Sequence, residues 1–455
     1  MGYQLRFTDK EITPWGGMGL MKRLLDHVKF EEALQQCGLP QPQSNRGYRP
    51  EQLITQFMLS VWCGANRFEH GEVTRFDPVL QKLFGYERMA SFKTVMRLFA
   101  RFDQGCNDLV FGTLYRWMYD QLSIDKTGGL TLDLDSTVMT RHGVQEGAAR
   151  GYNPSKPGRS SHHPLMAFCA DTRMVANFWL RPGNAHTANN TISFLASTQA
   201  NLGDKRVGLL RADSGFSDTA FLSHLEEHSL NHIIALRLNQ PLQRALVSER
   251  GWWALDEGIE LVSFDYQAPA WDKPRRVIGI RQDTGKRTQA KGKTLSLFPD
   301  DPVIGRYRFS ALVTNLDLPA QVIWRTYRGR ADCENRIKEL KYDFGAASFN
   351  MRSFWGTEAA LNTVMLAFNL MSLMRQALLR TAMGLPGKDV QHTLQTLRYK
   401  LFAKAGYITH EGRRPILKLA IAMNKREWMS GLWDKAKTFD LPVKFTPAFS
   451  PVLSP

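Results

Sequence analysis

The sequence is poor in cysteine, short of acid relative to base, and without long apolar runs. Five cysteines (Cys37, Cys63, Cys106, Cys169, Cys333) occur in 455 residues, an odd number, widely scattered and with no C-x-x-C pair. That argues against a disulfide framework and a zinc knot, and for a reducing compartment, the cytoplasm. The longest uncharged, mostly apolar window, 359–374, carries Asn362, Thr363, Asn369 and Ser372. It falls short of the roughly 20 apolar residues of a membrane span and reads as a buried helix. Residues 1–25 mix charges of both signs among short apolar stretches and do not read as a signal peptide. The sequence also has no P-loop, internal repeat or low-complexity tract. A hydrophobic fraction of 43% with 11% aromatics suffices for packed cores, which excludes a disordered or fibrous chain. Against 43 Asp+Glu stand 59 Lys+Arg, a formal charge of +16. Such a balance points first to nucleic acid, because Lys and Arg gain affinity by displacing phosphate counterions.

Residues 1–125 are expected to form a helical N-terminal DNA-binding region, interrupted by the breaker-rich linker Pro40–Pro50. Ser91 reads as the N-cap of a helix whose apolar residues Val95, Leu98, Phe99 and Phe102 follow 3/4 spacing. Its other face carries Lys93, Thr94, Arg97 and Arg101, and Arg97 and Arg101 are candidate DNA contacts of a recognition helix. A solvated amphipathic helix is the plainer alternative.

From about 128 the pattern turns to strands. Leu130–Thr137 alternates, with Leu130, Leu132 and Leu134 on one face and Asp133 and Asp135 on the other. Met166–Asp171 and Met174–Arg181 read as a hairpin, followed by a helix (Thr187–Leu202), a strand (Arg206–Asp213), a helix (Ser217–His228) and a strand (Asn231–Leu238). This order predicts an α/β fold, a mixed sheet with helices on its faces, whose first part spans 126–240. Short β-type runs (Ile259–Tyr266, Arg276–Arg281, Arg306–Val313) mark a β-rich insertion over 241–310, with eight Lys/Arg and one acid between Lys273 and Lys293. Helices over about 320–342 and 357–380 complete the core over 311–382. A basic segment follows over 383–455, with eight Lys/Arg and one Glu from Arg398 to Arg426; it is expected to contact DNA or support dimerisation.

Two of these strands end in carboxylates, Asp135 and Asp213, each followed by a serine. Carboxylates there repel a phosphate ligand unless something reverses the sign locally. A divalent cation does so, since Mg²⁺ binds carboxylates together with substrate phosphates. Taken singly, each Asp also reads as a cap or turn residue. The third element is the run Tyr327–Lys341. At about 100° per residue, Tyr327, Arg330, Glu334 and Lys341 share one narrow helical stripe with Lys338 close by. Arg and Lys suit phosphates, Tyr stacking or hydrogen bonding, and Glu a metal. The plain alternative is a surface helix with Arg–Glu pairing.

The spacing Tyr327-x2-Arg330-x3-Glu334-x6-Lys341 resembles the Y-R-E-K signature of bacterial insertion-sequence transposases of the DDE type, shared by the Tn-five transposase and the IS-four superfamily. Asp135-Ser-Thr, Arg211-Ala-Asp-Ser-Gly-Phe216, Gly151-Tyr-Asn-Pro154, His163-Pro-Leu165 and Arg181-Pro-Gly-Asn-Ala-His186 look most like its IS-thirteen-eighty branch. The resemblance covers roughly 128–380. It implies an RNase H-like core with a catalytic, metal-binding triad at Asp135, Asp213 and Glu334. Asp133 stands as a fallback for the first carboxylate. It also implies a β-rich insertion in the 121-residue gap between Asp213 and Glu334, and contacts of Tyr327, Arg330 and Lys341 with phosphates of the transposon end. Lys338 joins them as a candidate DNA contact.

The implied chemistry is phosphoryl transfer on double-stranded DNA. Three carboxylates can hold two Mg²⁺ ions about 4 Å apart, with Mn²⁺ as a substitute, clamping the attacking and leaving oxygens. Water nicks the transposon end, and the freed 3′-hydroxyl then attacks DNA. In relatives excision passes through a hairpin, with a Trp of the inserted domain on a flipped base; Trp252, Trp253 and Trp271 lie in the matching region. His162, His163 and His186 read as turn or backbone-contact residues, since Mg²⁺ prefers oxygen ligands. The family also implies a homodimer on DNA. Two other readings remain: a two-metal nuclease without transposition, and a non-catalytic DNA-binding protein of transposase origin.

Overall fold

Strand β1, Leu130–Ser136, is buried along nearly its whole length. A central strand covered on both faces reads as a dense apolar run, and here the leucines alternate with Thr131, Asp133 and Asp135, all less than a tenth exposed. The computed structural model describes residues 3–42, 47–125, 128–154, 156–187, 189–285, 305–379 and 392–447. The boundaries expected at 126 and 383, and the part of the basic cluster at 286–293, lie outside the described residues.

Strands β2 (Leu165–Cys169) and β3 (Met174–Trp179) form the expected hairpin, with β2 antiparallel to β1. On the other side of β1, β4 (Val207–Ala212) and β5 (His232–Ala235) run parallel to it. The sheet then continues without a break. A strand that the sequence reading did not name, β6 (Trp253–Asp256), is followed by the β-type runs expected as an insertion, β7 (Ile259–Tyr266), β8 (Arg275–Asp283) and β9 (Tyr307–Thr314). They pair antiparallel in sequence, and β9 joins the edge of β5. Among the described residues this makes one nine-stranded mixed sheet in the order β6-β7-β8-β9-β5-β4-β1-β2-β3. The large mixed sheet with helices on its faces is consistent with an RNase H-like fold.

Helices α1 (Gln104–Asp120), α2 (Thr191–Leu202), α3 (Thr219–Glu227), α4 (Ala320–Arg328), α5 (Ala331–Tyr342) and α6 (Phe354–Met374) surround the sheet. Helix α6 is buried almost all round. A helix apolar on every side belongs in a core, as expected for 359–374, and no described helix is long and apolar enough to cross a membrane. The N-terminal helices share this core. Trp62 Nε1 donates to Ala367 O of α6 at 3.1 Å, and Tyr115 of α1 donates to Asn362 of α6 at 2.9 Å. The opposite face, with Leu209, Ile233, Leu261, Ile278 and Leu312, is covered by Ile323 of α4.

The helix expected over 320–342 is two helices. Gly329 and Arg330 keep right-handed dihedrals but tighten to i→i+3 bonds, Gly329 N to Thr326 O and Arg330 N to Tyr327 O. Gly is a weak helix former, and the Arg211 guanidinium also binds Thr326 O at 2.6 Å.

Candidate active site

Asp135 ends β1, and Asp213 directly follows β4, the parallel neighbour of β1. Both stand at the carboxyl ends of adjacent strands, where open α/β sheets hold ligands. Asp213 caps a short turn, Ser214–Phe216, its Oδ1 accepting from Gly215 N at 2.9 Å. Asp135 Oδ1 accepts from Ser136 N at 2.7 Å.

The α4–α5 joint lies over this end of the sheet. Arg330, 6% exposed, donates to Asp135 Oδ2 at 2.7 Å and to Leu134 O at 3.3 Å. Its other nitrogen is 3.7 Å from Glu334 Oε1, whose side chain is 59% exposed. One guanidinium therefore bridges a buried carboxylate and an open one. Burial pushes Asp135 up to about 6; Arg330 opposes that shift, Asp213 and Glu334 add to it, and the Ser136 N–H partly offsets it. Burial works against the charge on Arg330, yet Asp135, Cys333, Tyr327 and Asp213 together raise it above its ordinary range. Tyr327 is raised by burial and feels Arg330 and all three carboxylates. Lys341 donates to Val138 O at 3.2 Å and is lowered by burial, with Asp135 opposing. Lys338 is exposed on α5.

Six of the sequence candidates thus gather at one end of the sheet: Asp135, Asp213, Glu334, Tyr327, Arg330 and Lys341. Arg97 and Arg101 are on and just beyond the helix Phe92–Phe99, which carries Val95, Leu98 and Phe99 buried as expected. The Arg101 guanidinium binds Gln41 O. Asp133 is taken up elsewhere: Arg211, its cross-strand neighbour, grips it twice, at 2.6 and 2.7 Å, with both side chains under a tenth exposed. Trp271 is buried and Trp252 lies 4.6 Å from the Arg281 guanidinium, whereas Trp253 is 39% exposed.

The residues that sequence reasoning passed over are Thr187 and Arg211. Thr187 Oγ1 is 3.4 Å from Ser136 Oγ, and Arg211 ties Asp133 to the end of α4. The motif Arg211-Ala-Asp213 contained the second of these signals, but its partner is 78 residues away. His162 Nδ1 accepts from Arg141 at 2.9 Å, and burial lowers it to about 4, so the ring is neutral. His163 binds Ala185 O at 3.1 Å and lies within electrostatic reach of Asp213.

Among the described residues no group of three His, Cys, Asp or Glu is drawn together closely enough to hold a metal ion. The donor chemistry fits a hard cation nonetheless. All donors are carboxylate oxygens, and the repulsion from Asp213 and Glu334, which adds to the effect of burial in raising Asp135, is what a cation relieves. In this geometry Arg330 supplies the positive charge instead.

The family model described as transposase DDE domain group 1 matches residues 3–438. The chain belongs to this family. It is a DDE transposase domain almost from end to end. No curated protein matches it significantly. Among solved structures it is similar to a piggyBac transposase synaptic complex with hairpin DNA, determined by cryo-EM, at 13% identity and a TM-score of 0.45. The match covers 86% of this chain and 81% of that one.

Proposed function

We propose that this DDE transposase serves an insertion sequence of the IS-four superfamily, binding terminal inverted repeats and catalysing metal-dependent cleavage and strand transfer of DNA. The observation that carries the reading is the Asp135–Arg330–Glu334 arrangement with Asp213 alongside, on residues whose spacing matches the Y-R-E-K signature. Asp135 and Asp213, on adjacent strand ends, and Glu334, on the first turn of α5, are the residues that would hold Mg²⁺ or Mn²⁺. When bound, two such ions activate the attacking oxygen and offset charge on the scissile phosphate.

The remaining chemistry belongs to the protein. Arg330 exchanges Asp135 for a DNA phosphate, a bidentate partner of comparable strength. Tyr327, shielded by the joint, keeps its proton and donates a hydrogen bond. Lys341 leaves a carbonyl for a phosphate at little cost, because that bond is a single one. The N-terminal helices with Arg97 and Arg101, the exposed Lys338 and the basic C-terminal segment add binding to the duplex, and two copies act together on paired ends.

The test uses purified protein and labelled DNA carrying the element's end, with Mg²⁺ or chelator, beside Glu334→Gln. Nicking at the end that needs Mg²⁺ and disappears in the variant while binding persists supports the proposal. Binding without cleavage by either protein favours a non-catalytic DNA-binding role. Cleavage surviving the variant removes Glu334 from the triad.

A further inference from the structure

Three sequence stretches with no part in the carboxylate chemistry converge on one structure beside it. Beyond Asp135 the chain enters a small three-stranded sheet, Met139–Thr140, Ser160–His162 and Ala149–Arg150. The connection between the last two of these strands in sequence contains Gly151-Tyr152-Asn153-Pro154. The loop after β3 contains Arg181-Pro-Gly-Asn-Ala-His186, and His163 N donates to Arg181 O at 3.1 Å. Arg181, 6% exposed, returns bonds to His163 O at 3.0 Å, His186 O at 2.9 Å and Asn189 O at 3.0 Å. Backbones meet so closely that side chains are barred: a Cβ on Gly183 would drive into the carbonyls of Ser161 and Ala149, and one on Gly151 into Gly183 O.

This tightly built support carries an exposed, one-signed turn. Asn153 is buried and spans the turn, donating to Thr140 Oγ1 at 3.1 Å and accepting from Lys156 N at 3.0 Å. Around it Arg150, Lys156 and Arg159 are exposed, and Tyr152 is 74% exposed. From Gly147 to Ala170 there is no Asp or Glu. The support is tied to the carboxylate end of the large sheet on two sides: Lys341 binds Val138 O just before the first strand of the small sheet, and Thr187, just after His186, faces Ser136.

An acid-free turn with three exposed cations and an exposed ring matches a polyphosphate backbone, not an apolar or cationic partner. We propose that Arg150, Lys156 and Arg159 bind the phosphates of duplex DNA flanking the reacting phosphate, with Tyr152 packing on the sugar–base edge. The inference rests on the DNA-processing reading above.

The test compares wild type with the triple variant Arg150→Ala/Lys156→Ala/Arg159→Ala and with Tyr152→Ala, using a labelled duplex of arbitrary sequence titrated across salt concentrations. All four side chains are exposed, so melting temperatures stay at the wild-type value. At about 0.9 per phosphate contact, the triple variant's log K against log salt is shallower by about 2.7, and its binding near physiological salt is roughly 10- to 100-fold weaker. Tyr152→Ala weakens binding severalfold with the slope unchanged, because its contact releases no ion. A triple variant that melts and binds like wild type with the same slope overturns the surface while leaving the carboxylate reading intact. Wild-type protein that binds no duplex overturns both.

Discussion

Glu358 is a carboxylic acid kept neutral by its surroundings, and replacing it tests the electrostatics of the core quantitatively. It sits on α6, 5% exposed, with Oε1 accepting from Leu180 N at 2.8 Å. Burial pushes its pKa up from 4.5 to about 8, the Leu180 N–H opposes this, and the charge of Asp108 adds to it. No cation among the described residues compensates, so the folded protein holds a proton that the unfolded chain releases. Stability is therefore fully present below about pH 4.5 and is lost as pH rises through about 8. Between those limits the slope is about −1.4 kcal/mol per pH unit for one proton. Glu358→Gln keeps the acceptor oxygen and has no proton to lose. The difference between variant and wild type should be below about 1 kcal/mol at pH 5 and grow to about 4 kcal/mol in favour of the variant by pH 8. Spread over the unfolding entropy of a chain this long, that is roughly 4 °C in melting temperature. Thermal unfolding followed by circular dichroism at pH 5, 6, 7, 8 and 9 measures it. Parallel curves offset by a constant amount, or identical curves, would refute the claim that Glu358 is buried as the neutral acid.

Three further outcomes follow from the same physical reasoning. Arg330→Gln removes the cation that opposes the burial of Asp135, so, with Asp135 as the proposed metal ligand, the pH at which Mn²⁺ binding becomes half-maximal should move upward; an unchanged midpoint in a binding titration contradicts the Arg330–Asp135 pairing. Asp133→Asn strands the Arg211 charge in the core and should destabilise by about 3–5 kcal/mol. Asp133→Leu with Arg211→Met should recover most of that in denaturant unfolding. Gly183→Ala pushes a methyl into two backbone carbonyls and should cost about 1–3 kcal/mol, with weaker duplex binding as the supported turn shifts.

Local patterns carried much of the architecture. The alternation of Leu130 to Asp135 announced a strand with its carboxylates on one face, because side-chain direction in a strand depends only on parity. The apolar window at 359–374 announced a buried helix, because an all-round apolar helix has nowhere else to go. The stripe from Tyr327 to Lys341 was legible in the same way, and only its break at Gly329 was not. At that break Arg211, more than a hundred residues earlier, reaches Thr326 O.

Pairings across the sheet were a different matter. Nothing in the alternation distinguishes Asp133 from Asp135; strand register does, by setting Asp133 opposite Arg211 and leaving Asp135 to Arg330. Composition marked the strands between 259 and 314 as β-type, but whether they stood apart or extended the sheet depended on which edge β9 met. Periodicity is a property of a few consecutive residues, so the chain itself specified its helices, its strands and the chemistry each could offer. Which arginine pairs with which carboxylate depends on groups 78 and 195 residues apart. Those groups meet only when the hydrophobic burial of the whole sheet brings them together.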